Sequence, residues 1–257
     1  MSDLFLDSLQ QALNLIFSGN PEVYGIVYRT IYVTGLGTFL ACLWSIPLAI
    51  LIGLYSFKGR WVVKGFFNAF IGIPTVALGL FLYLLFSHQG ILGSLDLLYT
   101  LNGIAIGQAV LETPIIVSFV SNALGTVDIQ LRDLARTLGA SGVRTDLAIM
   151  RETVWSLVLA IAAAFNRGFG ELGIAALVGG GLFGMTRVLT TAITIETNFG
   201  HFSIALAYGI ILMSIVLAIT LTTNLVERLK REDFTLPKWN IRKSATGVHN
   251  NDHQSSA

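Results

Sequence analysis

Three ionisable residues lie inside long apolar stretches of this sequence, where charged side chains are costly and usually paired or functional. Arg167 and Glu171 are four residues apart, which places them on one face of a helix. Arg167 could line a path and attract an anion, or it could pair with Glu171 and hold helices together; we favour the pair. Glu112 would repel an anion, so we expect it to pair with a basic group such as Arg167 or to be protonated.

A second candidate site is a run of hydroxyl-bearing residues between positions 186 and 197. Thr186, Thr190 and Thr191 could form an outer gate, because hydroxyl and backbone N–H groups can bind an anion briefly as it passes. The alternative is that they are ordinary loop and helix-cap residues. The nearby residues 179–181, all glycine, are expected to form a flexible turn and do not match a phosphate-binding loop.

The sequence lacks the residue patterns of enzymatic catalysis. It contains no Gly-x-x-x-x-Gly-Lys-[Ser/Thr] motif, no Ser/His/Asp constellation and no cluster of metal ligands. We therefore predict no catalytic residues, no metal site and no cofactor in this chain. The net charge of +1 does not indicate any class of binding partner, and binding to a nucleic acid is not expected.

The elements that must position these residues are membrane-spanning helices. Of the 257 residues, 54% are hydrophobic and only 12% are charged, against about 25% in soluble domains. Residues 30–57, 65–95 and 197–226 carry no charge, and residues 102–123 and 153–178 carry isolated ones. Each stretch can cross a hydrocarbon core, which takes about 20 helical residues. We predict an all-α membrane protein with about five transmembrane helices.

Basic residues predict the direction of the crossings, because cytoplasmic loops are enriched in Lys and Arg. With five crossings, 13 of the 16 basic residues fall on one side, in the loop after the first span, the loop between the third and fourth, and the tail. The N-terminus is then outside and the C-terminus cytoplasmic, in a multi-pass protein of the inner (cytoplasmic) cell membrane.

The chain divides into three predicted regions. Residues 1–25 form an extracytoplasmic amphipathic helix, with Leu6, Leu9 and Leu13 on one face, that either lies on the membrane surface or packs on a neighbouring protein. Residues 26–226 form the transmembrane domain. Residues 227–257 form a polar cytoplasmic tail.

A polar loop at residues 125–152 separates the third and fourth spans. Residues 128–141 have the composition of an exposed helix that ends at Gly139, and a second helix then leads into the fourth span. Such a helix–turn–helix could pass a partner's motion to two spans. The alternative is an amphipathic linker that lies on the bilayer.

This loop resembles the EAA loop of bacterial and archaeal ABC importer permeases. The similarity lies in Asp133-Leu134-Ala135, in the stretch through Leu138-Gly139-Ala140-Ser141, and in Ile149, ten residues after Gly139. Asp and Leu replace the usual first Glu-Ala, and Arg151-Glu152 replaces the usual Leu-Pro. The resemblance implies the type I ABC importer permease fold, with the loop held in a cleft of a separate ATPase subunit.

Three further stretches are similar to oxyanion permeases of that family. They are residues 72–80, residues 165–173 with 177–181, and residues 186–193 with Glu196-Thr197, the last nearest to the tungstate branch. The resemblance implies import of an oxyanion, tungstate by preference, by a homodimer of this subunit. ATP would be bound by the partner ATPase, and an extracytoplasmic oxyanion-binding protein would deliver the cargo.

Two alternatives remain. The same architecture could import molybdate, sulfate or another small solute. A protein of another class, a secondary transporter or channel driven by an ion gradient, would need no ATPase.

Overall fold

The computed structural model describes residues 2–126 and 142–233 of the chain. Within these two ranges every regular element is a helix and none is a strand, which confirms the predicted all-α class. The helices in these ranges are α1 (Ser2–Phe17), α2 (Pro21–Leu54), α3 (Arg60–Phe70), α4 (Thr75–Phe86), α5 (Leu101–Thr126), α6 (Gly142–Glu152), α7 (Val154–Phe169), α8 (Gly173–Leu177), α9 (Leu189–Asn198) and α10 (Phe202–Asp233), with a 3-10 turn at Gly93–Leu95.

Five crossings of a membrane can be built from these helices. Helices α2, α5 and α10 are each long and apolar enough to cross alone, and the bent pairs α3–α4 and α6–α7 bring the number of candidate spans to 5. Pro47 and Pro114 lie inside α2 and α5 without ending them. Membrane helices tolerate proline because neighbouring groups satisfy the freed carbonyls.

Close contacts between helices show the directions of the crossings. Gly37 of α2 lies against Ala105 of α5, and Gly53 of α2 lies against Leu124, so α2 and α5 run parallel. Parallel neighbours need a return crossing between them, which α4 supplies. Helix α7 runs the other way, because Gly168 at its end meets Gln108 while Ile149, before its start, packs with Leu124. Helices α2, α4, α5 and α7 therefore alternate in direction.

The second predicted span is not one helix. Residues 65–95 were predicted to form one span, but α3 and α4 meet at an angle of 99°. The break falls at Gly72-Ile73-Pro74, where Pro74 forms the N-cap of α4 in an extended conformation. Proline has no N–H for a helical bond and disfavours helical geometry in the preceding residue, so the helix cannot continue through it.

The fourth predicted span, residues 153–178, is also interrupted. Helices α6 and α7 meet at 54° beside Thr153, whose hydroxyl donates a hydrogen bond to the carbonyl of Ile149 at 3.0 Å. Such bonds from a threonine to the preceding turn bend helices. Helix α7 ends at Phe169 rather than near residue 178, and the short α8 follows after Gly170.

The N-terminal helix α1 packs on the last helix, α10. The Ser203 hydroxyl of α10 donates to Gln11 Oε1 at 2.8 Å, and Leu15 joins an apolar cluster with Tyr208. Helix α1 stops before Gly19, whose φ of +71° suits glycine. Three of its apolar side chains remain exposed, namely Leu6, Leu13 and Phe17.

Glycines permit the closest helix approaches. A Cβ on Gly79 of α4 would lie 2.9 Å from the carbonyl oxygen of Gly173 in α8, so only a glycine fits there without a shift. Small residues commonly bring membrane helices together in this way. This contact places α8 against α4.

Candidate functional site

The Arg167–Glu171 ion pair forms at the junction between α7 and α8. Arg167 Nη1 lies 3.1 Å from Glu171 Oε2. The other carboxylate oxygen, Oε1, accepts a hydrogen bond from the backbone N–H of Ile174 at 3.1 Å. Because Glu171 binds both the last turn of α7 and the first turn of α8, it ties the two helices together.

The pair is unequally buried. The Glu171 side chain is 1% exposed and the Arg167 side chain is 38% exposed. The sequence placed both near the middle of a continuous span, whereas the structure places them where that span breaks. Arg167 also stands in the last turn of α7, where a cation is favoured by the helix dipole.

Glu112 of α5 is fully buried and does not pair with Arg167. Its exposed fraction is 0%, and neither carboxyl oxygen has a hydrogen-bond partner among the described residues. No basic group within residues 2–126 and 142–233 forms an ion pair with it. Instead, the carboxyl group packs directly against Gly168 of α7. Of the two expectations for Glu112, the pairing with Arg167 is wrong, because the Arg167 side chain is bound to Glu171, and protonation stays a prediction.

Glu112 belongs to a polar seam, which we define as Thr34 and Thr38 of α2 with Gln108 and Glu112 of α5. Gln108 Nε2 donates to the carbonyl of Gly168 at 3.0 Å, so the seam is tied to α7. The two threonine hydroxyls and Gln108 Oε1 are buried, and in the part of the chain that the structure describes they have no hydrogen-bond partner. Thr34 and Gln108 were missed from the sequence, although each lies four residues from another polar residue in an apolar span.

The hydroxyls of the candidate outer gate are bonded to the backbone. Thr186 Oγ1 donates to the Gly179 carbonyl at 2.5 Å and accepts from Leu182 N at 3.0 Å. Thr190 Oγ1 donates to the Glu171 carbonyl at 2.8 Å. Thr191 bonds the backbone of Val188. An oxyanion would have to displace these bonds, so the geometry favours the loop-and-cap interpretation.

The turn at residues 179–181 is closely packed. Gly180 and Gly181 have positive φ, and a Cβ on them would lie 2.8 Å from Tyr99 and 2.9 Å from Ile195, respectively. The surrounding side chains therefore hold this turn in place.

A cluster of charges around this turn was missed from the sequence. Arg187 Nη1 lies 3.2 Å from Glu196 Oε1, and His201 Nδ1 lies 2.9 Å from Glu196 Oε2. Arg29 of α2 donates from Nε to the Arg187 carbonyl at 3.0 Å. The cluster links α2, α9 and α10. Its members are up to 172 positions apart, so spacing along the chain carried no signal for it.

Most of the candidate coupling residues lie outside the described part of the chain. These are Asp133, Leu134, Ala135, Leu138, Gly139, Ala140 and Ser141. Ile149 is described, and it is 1% exposed in an apolar cluster with Leu54 and Leu124. Helix α5 ends at Thr126 and α6 begins at Gly142, and Ile149 of α6 lies in one apolar cluster with Leu54, the last residue of α2.

These features define a polytopic helical membrane protein with polar and charged groups in its interior, and comparisons with known proteins identify its family. Residues 45–232 match the family described as the binding-protein-dependent transport system inner membrane component. The chain therefore belongs to this family of ABC importer permeases, which confirms the resemblance found in the sequence.

Two relatives are similar over most of their length. A tungstate uptake system permease protein, TupB, from Campylobacter jejuni is 31% identical over 88% of this chain and 95% of the relative. TupB from Peptoclostridium acidaminophilum is 30% identical over 83% and 93%, respectively. A solved structure of the MetNI methionine ABC transporter has a TM-score of 0.67 at 18% identity, covering 82% of this chain and 98% of that chain. The last similarity concerns the fold alone.

Membership of this family has two direct consequences. The chain is a membrane-embedded permease component of a transport system, which is consistent with a non-catalytic role. A binding-protein-dependent ABC importer also works with an ATPase and a substrate-binding protein, so these are the partner classes that the family implies.

Proposed function

We propose that this chain is the permease subunit of an ATP-driven importer of an oxyanion, with tungstate as the preferred cargo. The observation that carries the proposal is the similarity to two tungstate uptake permeases across more than four fifths of this chain and of each relative. Molybdate and sulfate are the alternative cargoes, since they are tetrahedral dianions like tungstate.

The work of import is divided among several chains. ATP binds to the separate ATPase, because this sequence has no phosphate-binding loop. Residues 133–141 contact that ATPase and pass its motion to α5 and α6. Two copies of the permease form a homodimer around the path, since five helices are few to enclose one alone. The binding protein supplies most of the selectivity for tungstate.

The N-terminus lies outside and the C-terminus in the cytoplasm. This orientation rests on the basic residues, which concentrate next to the ends of α2 and α5 and from the last turns of α10 onward. The alternating directions of α2, α4, α5 and α7 are compatible with it. Residues 127–141 are then cytoplasmic, as contact with an ATPase requires.

The Arg167–Glu171 pair has a structural role in this proposal: it holds α7 and α8 together. Its carboxylate is buried and holds both helices of the junction, so the pair positions α8 against α4. Pairing also reduces the attraction of Arg167 for a dianion, which must be released for transport to continue. A direct role for Arg167 in the path is the alternative, because 38% of its side chain is exposed.

One experiment tests class and cargo together. The permease is purified from its host in a mild detergent, and the ATPase activity of the co-purifying complex is measured with the binding protein loaded with tungstate, molybdate or sulfate. We expect the largest stimulation with tungstate. Stimulation only by another oxyanion would identify that oxyanion, and not tungstate, as the cargo. ATPase activity unaffected by any loaded binding protein would contradict an oxyanion importer. Uptake into vesicles without any ATPase would support the ion-gradient alternative.

A further inference from the structure

Helix α3 turns an apolar face away from the protein. Its exposed side chains include Trp61 at 79%, Val62 and Phe66 at 53% each, and Phe70 at 41%. None of its residues is fully buried. An apolar face of this size needs cover from lipid or from another protein.

The basic side of α3 faces inward instead. Arg60 donates from Nε to the Ile52 carbonyl and from Nη2 to the Gly53 carbonyl, both at 2.7 Å. Lys64 Nζ donates to the Ser121 carbonyl at 3.2 Å and to Asn122 Oδ1 at 3.3 Å. The carbonyls of a helix's last four residues lack helical partners, so Arg60 satisfies the end of α2, while Lys64 binds α5 a little more than one turn before its end.

The angle of the helix pair determines how α3 lies in a membrane. Spanning helices tilt by about 20° on average from the bilayer normal. Helix α4 has 12 residues and is about 18 Å long, so by itself it covers only part of the hydrocarbon core. Because α3 meets α4 at 99°, an α4 that runs along the bilayer normal leaves α3 nearly parallel to the membrane plane. Helix α3 begins shortly after α2 ends, so it lies at the surface where α2 leaves the membrane.

Aromatic residues around the start of α3 are typical of a membrane–water interface. Tyr55 is 52% exposed, Phe57 is 42% exposed and Trp61 follows four residues later, with Lys58 between them. Tyrosine and tryptophan concentrate at the headgroup level, and lysine extends its charge toward water. The apolar face is also continuous along the chain with the exposed apolar side chains of the spanning α4, such as Val76 and Leu80.

We propose that α3 is an interfacial helix whose outer face, formed by Val62, Phe66 and Phe70, binds phospholipid at the boundary between headgroups and acyl chains. Its inner face forms hydrogen bonds with the last turns of α2 and α5. Helix α5 leads after Thr126 into the loop that is predicted to contact the ATPase. Helix α3 thus holds the ends of the two helices next to that loop at the lipid surface. The proposal depends on membrane insertion of this fold and is independent of the cargo.

The test is a depth measurement with spin labels in phospholipid vesicles. In the full-length permease with Cys42→Ala, single cysteines are introduced as Val62→Cys, Phe66→Cys or Phe70→Cys. Depth is read from the competition between oxygen, which concentrates in lipid, and a nickel chelate, which stays in water. The matched control is the series Val76→Cys, Leu80→Cys and Leu84→Cys, which has the same spacing on the exposed face of α4.

The two series should differ in how much the depth of the label changes from one position to the next. We expect the three α3 labels at nearly one depth, close to the headgroups. The α4 labels should change by about 6 Å per step, because a helix rises 1.5 Å per residue. An α3 series as steep as the α4 series would overturn the proposal. Labels reached by the nickel chelate alone would also overturn it, because the face would then lie in water. Labels reached by neither reagent would overturn it as well, because a second copy or another protein would then cover the face.

Discussion

The carboxyl group of Glu112 on α5 packs directly against the α-carbon of Gly168 on α7. No room is left for a side chain at position 168. The same glycine offers its carbonyl to Gln108, one turn before Glu112. A buried carboxyl group without a basic partner is thus accommodated by the absence of a side chain on the facing helix, and this contact sets how closely α5 and α7 approach.

The first prediction concerns this contact. Gly168→Ala should lower stability by about 1–3 kcal/mol, the usual cost of overpacking a closely packed core. The measurement is the melting temperature of the purified permease in detergent. Gly35→Ala is the matched control, since a Cβ at that glycine of α2 meets nothing within 4 Å.

A second substitution separates packing from other effects of the alanine. Combining Gly168→Ala with Glu112→Ala should cost less than the sum of the two single changes, because the shorter side chain vacates the space. Additive losses would mean that the two residues do not interact as described.

The second prediction concerns the Arg167–Glu171 pair. Arg167→Gln and Glu171→Gln should each lower the melting temperature, and the double variant should lose less than the sum, because the buried carboxylate and its partner act together. Glu171→Ala should be worse than Glu171→Gln, because the amide oxygen can still accept from the Ile174 N–H.

Transport kinetics distinguish a structural role of Arg167 from a direct role in the transport path. If the role is structural, Arg167→Gln lowers the amount of folded permease and leaves the KM for tungstate nearly unchanged. A KM raised by about tenfold, which corresponds to about 1.4 kcal/mol, at an unchanged melting temperature would instead place Arg167 in the transport path.

The third prediction concerns the threonines after the glycine turn. Thr190→Val removes the buried hydrogen bond to the Glu171 carbonyl and should cost about 1 kcal/mol of stability, with no change in the KM for the oxyanion. Thr197→Val is the control, because its hydroxyl is exposed and bonds only within its own helix. A raised KM in Thr190→Val without loss of stability would favour the outer-gate interpretation.

The fourth prediction concerns coupling to the ATPase. Gly139→Asp places a bulky charge where the loop is expected to meet the ATPase, so ATP hydrolysis should continue while uptake falls. The readout is the ratio of oxyanion imported to ATP hydrolysed in vesicles that contain the complete transporter. Gly142→Asp adds the same charge three residues later, where a side chain meets nothing within 4 Å, and should change this ratio much less. Equal ratios in both variants and in the parent would argue against a coupling role for Gly139.

The sequence by itself determined the helical membrane class, the five apolar segments, the alternation of their directions and the family. These properties depend on composition and on short motifs, which are local and can be read along the chain. The Arg167–Glu171 pair could also be anticipated, because its two members lie four residues apart.

Only the tertiary structure decided what the buried polar groups contact. Glu112 meets a glycine, which has no side chain to signal a partner, and Arg60, Lys64 and Thr190 bind backbone carbonyls, which every residue carries. The sharp turn between α3 and α4 was likewise missed, because both sides of Pro74 are apolar and their composition fits one continuous span. Contacts between distant segments and the angles between helices arise from packing in three dimensions, so they leave little trace in the spacing of residues along one chain.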